Sequence, residues 1–500
     1  MVRTGLNTLI YDTDMKNPGV CLGGESTKGV ETLLGNPKRA VLLMALPMMV
    51  GMVAQSANNL IDAVWVAGLG PDALAAVGFV FPLFFILIGI GNGVGVGASS
   101  AIARHIGRGD KPSADRTAMQ SVVLLIIGGI IGMVSLLLFQ RPMLEAMGAG
   151  DTIEYCVQYA TPVFICTLIF LLNGLFSNLL RAEGASNRSM ITQIIAAVIN
   201  IILDPIFIYG DVFGEIFGMD VGFKLGLGMG MAGAAWATIL AVVISFVIML
   251  YWYFIKKDTY IKLRTRYIPL HRETDVDILK VGLPASGELV VISIISMVMN
   301  FIIVLSDEGT NGVAIYSSTW RLINILMIPL MSIGGAVVPV LGAAYGARRF
   351  DKMNVAYIYS IKFCLVLMVV LVLITEIFAE YMAIIFTYSD STSALRGSMV
   401  DCLRITSLFL PFASWGFIAV GLFQAVGKGG SSFICTFLRN GTQLISSGIL
   451  VVTVGTFISI MWGIVAMEIL GSIIAGVWSY MLLRSISKGG MSSPSESLET

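Results

Sequence analysis

Charged residues are scarce in this chain. Asp, Glu, Lys and Arg make up 12% of its 500 residues, whereas 56% are hydrophobic and the mean hydropathy is +0.87. Soluble proteins carry charge on about a quarter of their residues. The composition therefore excludes a soluble globular protein and predicts one that crosses the membrane many times. Excess positive charge is also missing, because 31 Lys and Arg balance 31 Asp and Glu, so nucleic acid is excluded as a partner.

Histidines and paired cysteines are equally rare. The chain has 2 histidines and 6 scattered cysteines without a Cys-x-x-Cys pair, so neither a zinc site nor a disulfide framework is predicted. The amino-terminal segment lacks the apolar stretch of a secretory signal. No Ser/His dyad, Asp-rich pair or phosphate-binding loop stands out, so we expect neither an enzyme nor a bound cofactor.

Apolar stretches long enough to cross the bilayer recur along the chain. A spanning helix needs about 20 mostly apolar residues. Stretches of this kind lie at about 41–66, 75–103, 117–140, 153–180, 190–209, 231–255, 282–305, 313–343, 360–386, 402–426, 432–456 and 460–483. The sequence therefore predicts an all-α protein with twelve transmembrane helices.

The distribution of basic residues predicts the orientation of these helices. Twelve spans place both termini on the same side of the membrane. If that side is the cytoplasm, its loops and tails contain 24 of the 31 Lys and Arg, as the positive-inside rule requires. We therefore predict a multi-pass protein of the plasma membrane with both termini cytoplasmic.

The two halves of the chain are weak copies of each other. Ala45-Leu46-Pro47 in the first span recurs as Gly282-Leu283-Pro284 in the seventh. Because the repeat contains six spans, an even number, both copies have the same orientation, and a pseudo-twofold axis along the membrane normal relates the two six-helix lobes. The predicted parts are a tail at 1–40, a first lobe at 41–255, a linker at 256–280, a second lobe at 281–485 and a tail at 486–500.

Two aspartates lie inside predicted spans of the first lobe. An ionisable side chain at the bilayer centre costs about 2.5–3.5 kcal/mol, so each one suggests a function. Asp62 follows Asn58 by four residues, and Asp204 follows Asn200 by four residues. Residues four apart share a helix face, and carboxylate and amide oxygens suit H⁺ or Na⁺. These four residues are predicted to bind a coupling ion; the alternative is hydrogen bonding between neighbouring helices.

Further polar residues and two prolines complete the candidate set. Asn178 in the fourth span either extends the ion site or bonds a neighbouring helix. Glu288 in the seventh span is the candidate for a second-lobe ion or substrate site. Pro205 frees a backbone carbonyl one turn before it and permits a kink, and Pro47 either bends the first helix or marks an ordinary helix start.

The chain resembles the multidrug and toxic compound extrusion (MATE) transporters over about residues 40–485. The resemblance rests on Leu46-Pro47, on Asp62 with the following Gly68-Leu69-Gly70, on Leu180-Arg181-x-x-Gly184, and on Asn200-x-x-x-Asp204-Pro205. It implies that Asp62, Asn178, Asn200 and Asp204 form a first-lobe cation and proton site and that Pro47 bends its helix. Because the tenth span offers no carboxylate, the chain looks most like the DNA-damage-inducible F and archaeal branch.

This resemblance implies a function as well. Such transporters export bulky, often cationic and lipophilic organic compounds by antiport with H⁺ or Na⁺, and alternate access between two lobes. The expected partners are small organic substrates, the coupling cation and the lipid bilayer, with the protein as a monomer. The alternative is a flippase of a lipid-linked oligosaccharide or related lipid precursor, whose cavity should be more cationic. Arg321, Arg404 and Arg439 are the residues that keep this alternative open.

Overall fold

A computed structural model describes residues 27–211, 226–384, 386–387 and 393–491 of the protein. Its α-helices are α1 (Lys28–Leu34), α2 (Pro37–Ala67), α3 (Pro71–Arg108), α4 (Lys111–Ala146), α5 (Ile153–Ile165), α6 (Thr167–Ala182), α7 (Ser186–Ile208), α8 (Gly230–Leu250), α9 (Arg272–Val304), α10 (Gly309–Leu326), α11 (Ile328–Gly346), α12 (Phe350–Ile384), α13 (Arg396–Ser407), α14 (Leu410–Ala425), α15 (Gly429–Thr453) and α16 (Phe457–Met491). A π-helical turn, Tyr251–Lys256, extends α8.

The twelve predicted spans correspond to these helices, so the all-α, two-lobe prediction is confirmed. Within the described ranges, nine helices are long and apolar enough to cross a membrane, and two further spans are pairs bent by 55° (α5 and α6) and 48° (α13 and α14). The remaining span is α15, which carries Arg439. Span eight consists of α10 followed by α11. Most of the two predicted tails lies outside the described residues.

Short-range signals in the sequence begin and end several of these helices. Asn36 precedes α2, and its side-chain oxygen accepts the Lys38 backbone N–H at 3.0 Å, with Pro37 at the first helical position. Asp110 caps α4 in the same way through the Ser113 N–H, at 3.1 Å. Gly109 ends α3 with a φ of 73°, a left-handed conformation that favours glycine.

The packing of the helices repeats between the lobes. In the first lobe, α2 packs on α7 and α7 packs on α8; in the second, α9 packs on α15 and α15 packs on α16. The lobes meet where α3 packs on α9 and α11 and where α2 packs on α11. By contrast, α5, α10 and α13 pack within their own lobes.

Glycines make the contact between the lobes close. Gly97 of α3 lies against the Ile278 backbone of α9, and Gly107 lies against Ala343 of α11. The Ser100 hydroxyl donates to the Gln424 carbonyl of the other lobe at 2.5 Å. These contacts cluster toward one end of the bundle, where α3 ends and α9 begins. We call it the linker end, because it also carries residues 257–271, which join the lobes.

An ion pair and the short helix α1 also join the lobes at the linker end. The Arg104 guanidinium of α3 donates to both oxygens of Asp277 in α9, at 2.9 and 2.8 Å. Lys352 of α12 donates to the Leu34 and Gly35 carbonyls at the end of α1, both at 3.0 Å. The two lobes are therefore held together at the linker end.

The connection between the lobes is attached to the first lobe. Asp115 accepts the Lys262 N–H at 2.8 Å, and Gln120 donates to the Pro269 carbonyl at 2.7 Å. Glu183 is buried and accepts the Ile261 N–H at 3.1 Å. Burial raises the pKa of Glu183 to about 7, although the N–H donors oppose the shift. The predicted linker extended to residue 280, but α9 begins at Arg272, so its last part is helical.

Candidate functional site

The four predicted ion-site residues of the first lobe lie together in the structure. The Asn58 side-chain amide donates to the Asn200 side-chain oxygen at 2.8 Å, which ties α2 to α7. The Asn200 amide then donates to Asp204 at 2.7 Å and to Thr238 of α8 at 3.3 Å. Asn58, Asn200 and Asp204 are all buried. Three helices thus contribute to one polar cluster.

The cluster brings two carboxyl groups together. Asp62 of α2 lies within hydrogen-bonding reach of Asp204 of α7. Two facing carboxylates repel each other strongly unless a proton or a cation lies between them. The Tyr159 side chain of α5 lies near both groups. The geometry therefore needs one positive charge that the surrounding side chains do not supply.

Oxygen atoms without a partner mark the place for that charge. Asn58 Oδ1, Asp62 Oδ1 and Asp204 Oδ2 are buried and accept no hydrogen bond. A buried acceptor without a donor costs about 1–3 kcal/mol, so such atoms call for a ligand. Carboxylate and amide oxygens are hard donors that suit Na⁺ or a shared proton.

Helix periodicity explains this arrangement. Each Asn–Asp pair spans one helical turn, so amide and carboxylate lie on one face of α2 and on one face of α7. Because α2 and α7 pack together, the two faces meet. Pro205 has no N–H, so it leaves the Ile201 carbonyl without its usual helical donor beside the cluster. Both Pro47 and Pro205 lie within helices, and the helix-bending role predicted for them stays a prediction.

Asn178 lies outside the polar cluster formed by Asn58, Asn200 and Asp204. Its amide donates to the Gly174 carbonyl one turn earlier in α6, at 3.0 Å. Its side chain packs against Gly95 of α3, where glycine leaves room for it. The structure therefore does not bring Asn178 into hydrogen-bonding contact with the cluster.

Glu288 lies in a separate polar region of the second lobe. Its carboxylate accepts hydrogen bonds from the Ser432 hydroxyl and from Gln424. Beside it, Arg439 of α15 faces Glu468 of α16, with Nε and Oε1 3.2 Å apart. Gln443 donates to the other oxygen of Glu468. Glu288 thus has a guanidinium nearby, which the two carboxyl groups of the first-lobe cluster do not have.

The ligand types at the first-lobe cluster restrict its chemistry. In the part of the chain that the structure describes, no three or more His, Cys, Asp and Glu side chains converge as metal ligands. Two carboxylates completed by amide and hydroxyl oxygens form a set without soft ligands, which suits a proton or a hard alkali cation better than zinc.

Sequence reasoning missed Thr238, Tyr159 and the pairing of Arg439 with Glu468. Thr238 carries no charge and lies in an apolar helix, so nothing in its spacing distinguishes it. Tyr159 is one of 15 tyrosines. Glu468 is a buried acid only 4% exposed, and the charge inside a predicted span was the one signal that could have found it.

Comparison with known proteins identifies the family of this fold. The profile of the MatE family matches residues 47–206 and 284–449, one stretch in each lobe. Multidrug export protein MepA of Staphylococcus saprophyticus is 25% identical over 455 residues, which cover 89% of this chain and 94% of MepA. Probable multidrug resistance protein YoeA of Bacillus subtilis is also 25% identical, over 393 residues, 78% of this chain and 80% of YoeA.

Solved structures are similar over nearly the whole chain. The structure of MATE in complex with MaL6 superimposes with a TM-score of 0.87 at 36% identity and covers 92% of this chain and 100% of that one. An outward-facing multidrug resistance MATE family transporter superimposes with a TM-score of 0.86 at 36% identity and covers 93% and 99%. The chain therefore belongs to the MatE family, the multidrug and toxic compound extrusion transporters.

Proposed function

We propose that this protein exports small organic compounds in exchange for H⁺ or Na⁺ and that the coupling ion binds at the first-lobe cluster. The observation that carries the proposal is the pair of facing carboxyl groups, Asp62 and Asp204, each with one unpartnered oxygen atom, together with the unpartnered Oδ1 of Asn58. The names of MepA and YoeA, a multidrug export protein and a probable multidrug resistance protein, support organic substrates.

The proposed mechanism is alternating access between the lobes. An ion shifts the balance between two conformations only by its difference in affinity for them. Ligands on α2, α7 and α8 change their spacing when these helices tilt, so one conformation binds the ion better. Ion entry from outside is then linked to substrate exit.

We also propose that the linker end faces the cytoplasm. The positive-inside rule supports this, since basic residues concentrate in the connections at that end. Both termini are then cytoplasmic, and the lobes are in contact on the cytoplasmic side. A cysteine placed at exposed Lys257 and treated with a membrane-impermeant reagent tests this. The cysteine should not be labelled in intact cells and should be labelled in permeabilised cells.

The arginines that kept the flippase alternative open are largely paired with carboxylates. Arg404 lies 3.7 Å from Glu376, and Arg439 lies 3.2 Å from Glu468. Of the three arginines that would bind a pyrophosphate, two therefore already face carboxylates. This pairing reduces the positive charge available to an anionic lipid and supports export of organic compounds.

The test is transport in proteoliposomes. A fluorescent organic cation is followed under an imposed Na⁺ gradient and, separately, an imposed pH gradient, with wild type, Asp204→Asn and the exposed control Asp401→Asn. We expect one gradient to drive transport by wild type and by Asp401→Asn but not by Asp204→Asn. Gradient-driven transport that survives in folded Asp204→Asn contradicts the ion-site assignment. No response of wild type to either gradient contradicts antiport and favours the flippase.

A further inference from the structure

The second lobe has a buried ion pair where the first lobe has its ion cluster. In the six-helix repeat, Gly427 after α14 corresponds to Gly184 after α6, so Gln443 of α15 corresponds to Asn200 of α7. In the first lobe Asn200 bonds to Thr238 of the next helix, and in the second lobe Gln443 bonds to Glu468 of the next helix. The two places are therefore counterparts in the fold.

A guanidinium group fills the second-lobe counterpart. Arg439 lies one turn before Gln443 on α15, and its Nε is 3.2 Å from Glu468 Oε1. The side chains of Arg439 and Glu468 are only 9% and 6% exposed. The guanidinium also lies over the Phe417 ring, 4.8 Å from its centroid. Such a position suits a buried, permanently charged cation.

Two glycines on the neighbouring helices leave room for this side chain. A Cβ at Gly416 of α14 would lie 2.8 Å from Arg439 Nη1, and a Cβ at Gly471 of α16 would lie 2.9 Å from Arg439 Cγ. Any side chain at these positions would overlap with the arginine. The local packing is therefore built around Arg439.

Unpartnered buried atoms differ in kind between the two clusters. At the first-lobe cluster three of them are acceptors: Asn58 Oδ1, Asp62 Oδ1 and Asp204 Oδ2. Around Arg439 they are its own Nε, which faces Glu468 without the alignment of a hydrogen bond, and hydroxyl groups such as that of Ser472, which can donate. Among described residues, the buried carboxylate oxygens of the second-lobe cluster all have partners. The first-lobe cluster lacks a cation, and the second-lobe cluster contains Arg439.

We propose that Arg439 is a tethered cation that occupies the second-lobe counterpart of the ion pocket, so that coupling ions bind only in the first lobe. This inference rests on the proposed function, because it concerns where the ions of that antiport bind. Glu288 also lies near Arg439, so this one guanidinium acts on both buried carboxylates of the region.

Removal of the tethered cation should open a second ion site. Without Arg439, Glu468 and Glu288 would be buried carboxylates with no cation between them, which is costly in a low-dielectric interior. The vacated space would then admit a proton or Na⁺. Arg439→Lys keeps a positive charge and should not open the site.

The experiment counts bound ions on purified full-length protein. Equilibrium dialysis with ²²Na⁺ measures sodium, and a pH indicator measures proton uptake. We expect Asp62→Asn/Asp204→Asn to bind no coupling ion, Arg439→Gln to bind one more than wild type, and Arg439→Lys to bind the wild-type number. Arg439→Gln in the Asp62→Asn/Asp204→Asn background should regain one ion.

Several outcomes would overturn the inference. Retained ion binding by Asp62→Asn/Asp204→Asn contradicts it, as does a wild-type ion count in folded Arg439→Gln. If Arg439→Gln does not fold, Arg439→Gln/Glu288→Gln decides instead: Glu468 is then left without a cation, so this variant should bind one ion more than wild type, and a wild-type count contradicts the inference. No ion binding and no gradient-driven transport by wild type would contradict the proposed function itself.

Discussion

A single methyl group at Gly97 should shift the balance between the two conformations of this transporter. Gly97 lies on α3 where the lobes meet, and a Cβ there would overlap the Ile278 carbonyl oxygen and lie 3.1 Å from the Gly282 nitrogen of α9. These are backbone atoms, which cannot turn away as a side chain can. The methyl group of Gly97→Ala would therefore force α3 and α9 apart.

The size of the effect follows from the cost of overpacking. Extra methyl groups in a packed interior cost about 1–3 kcal/mol. The cost falls on the conformation in which α3 and α9 touch, and it is relieved when the lobes separate at the linker end. The population with separated lobes should then rise about 5- to 150-fold. The gain in helix propensity from Gly to Ala, about 1 kcal/mol, applies to both conformations and cancels.

Gly89→Ala is the matched control, because a Cβ there would meet nothing closer than the Ser286 carbonyl oxygen at 3.9 Å. Spin labels at the exposed residues Arg108 and Lys428 report the distance between the lobes at the linker end. Gly97→Ala should increase the long-distance population, whereas Gly89→Ala should match wild type. If the two variants give the same distance distribution, the α3–α9 contact at Gly97 does not hold the lobes together at the linker end.

Three further predictions concern buried polar groups. Because the pKa of Glu183 is raised to about 7 from its usual 4.5, the folded protein holds this proton more tightly than the unfolded chain does. The contribution of this proton to stability is therefore lost as pH rises from about 4.5 to 7. The thermal unfolding temperature in detergent should fall over this pH range in wild type and not in Glu183→Gln. Asn58→Ala should weaken binding of the coupling ion about 5- to 30-fold, since it removes a buried oxygen, whereas the exposed control Asn59→Ala should leave titrated affinity unchanged. Asp277→Asn should leave Arg104 buried without its counter-ion and separate the lobes in the spin-label assay. The double variant Arg104→Gln/Asp277→Asn should restore much of the contact. Equal distances in wild type, Asp277→Asn and the double variant would show that the pair does not hold the lobes together.

The spans and the repeat were predictable because lipid imposes them. A helix must satisfy its own backbone hydrogen bonds over about 20 apolar residues, so length and hydropathy suffice. Even α15, which carries Arg439, was found in this way. The boundaries of the linker were less predictable, since the residues after Arg272 are polar yet continue α9 as a helix.

The ion cluster was predictable in part. Helix periodicity alone places Asn58 beside Asp62 and Asn200 beside Asp204. It cannot show that α2 packs on α7, which is what brings the two carboxyl groups together. The same limit applies to Asn178, whose polar side chain could have joined the cluster but instead packs on Gly95.

The sequence by itself determined where the chain crosses the membrane, that the two lobes are repeats of each other, and which Asn–Asp pairs share a helical turn. These follow from hydropathy and from the 3.6-residue period, neither of which needs a partner. Only the tertiary structure decided what each buried charge faces. Asp204 faces Asp62, so the first lobe needs a cation from outside; Glu468 faces Arg439, so the second lobe contains one. The difference arises because a buried charge takes its character from its neighbours across helices, and those neighbours are distant in sequence.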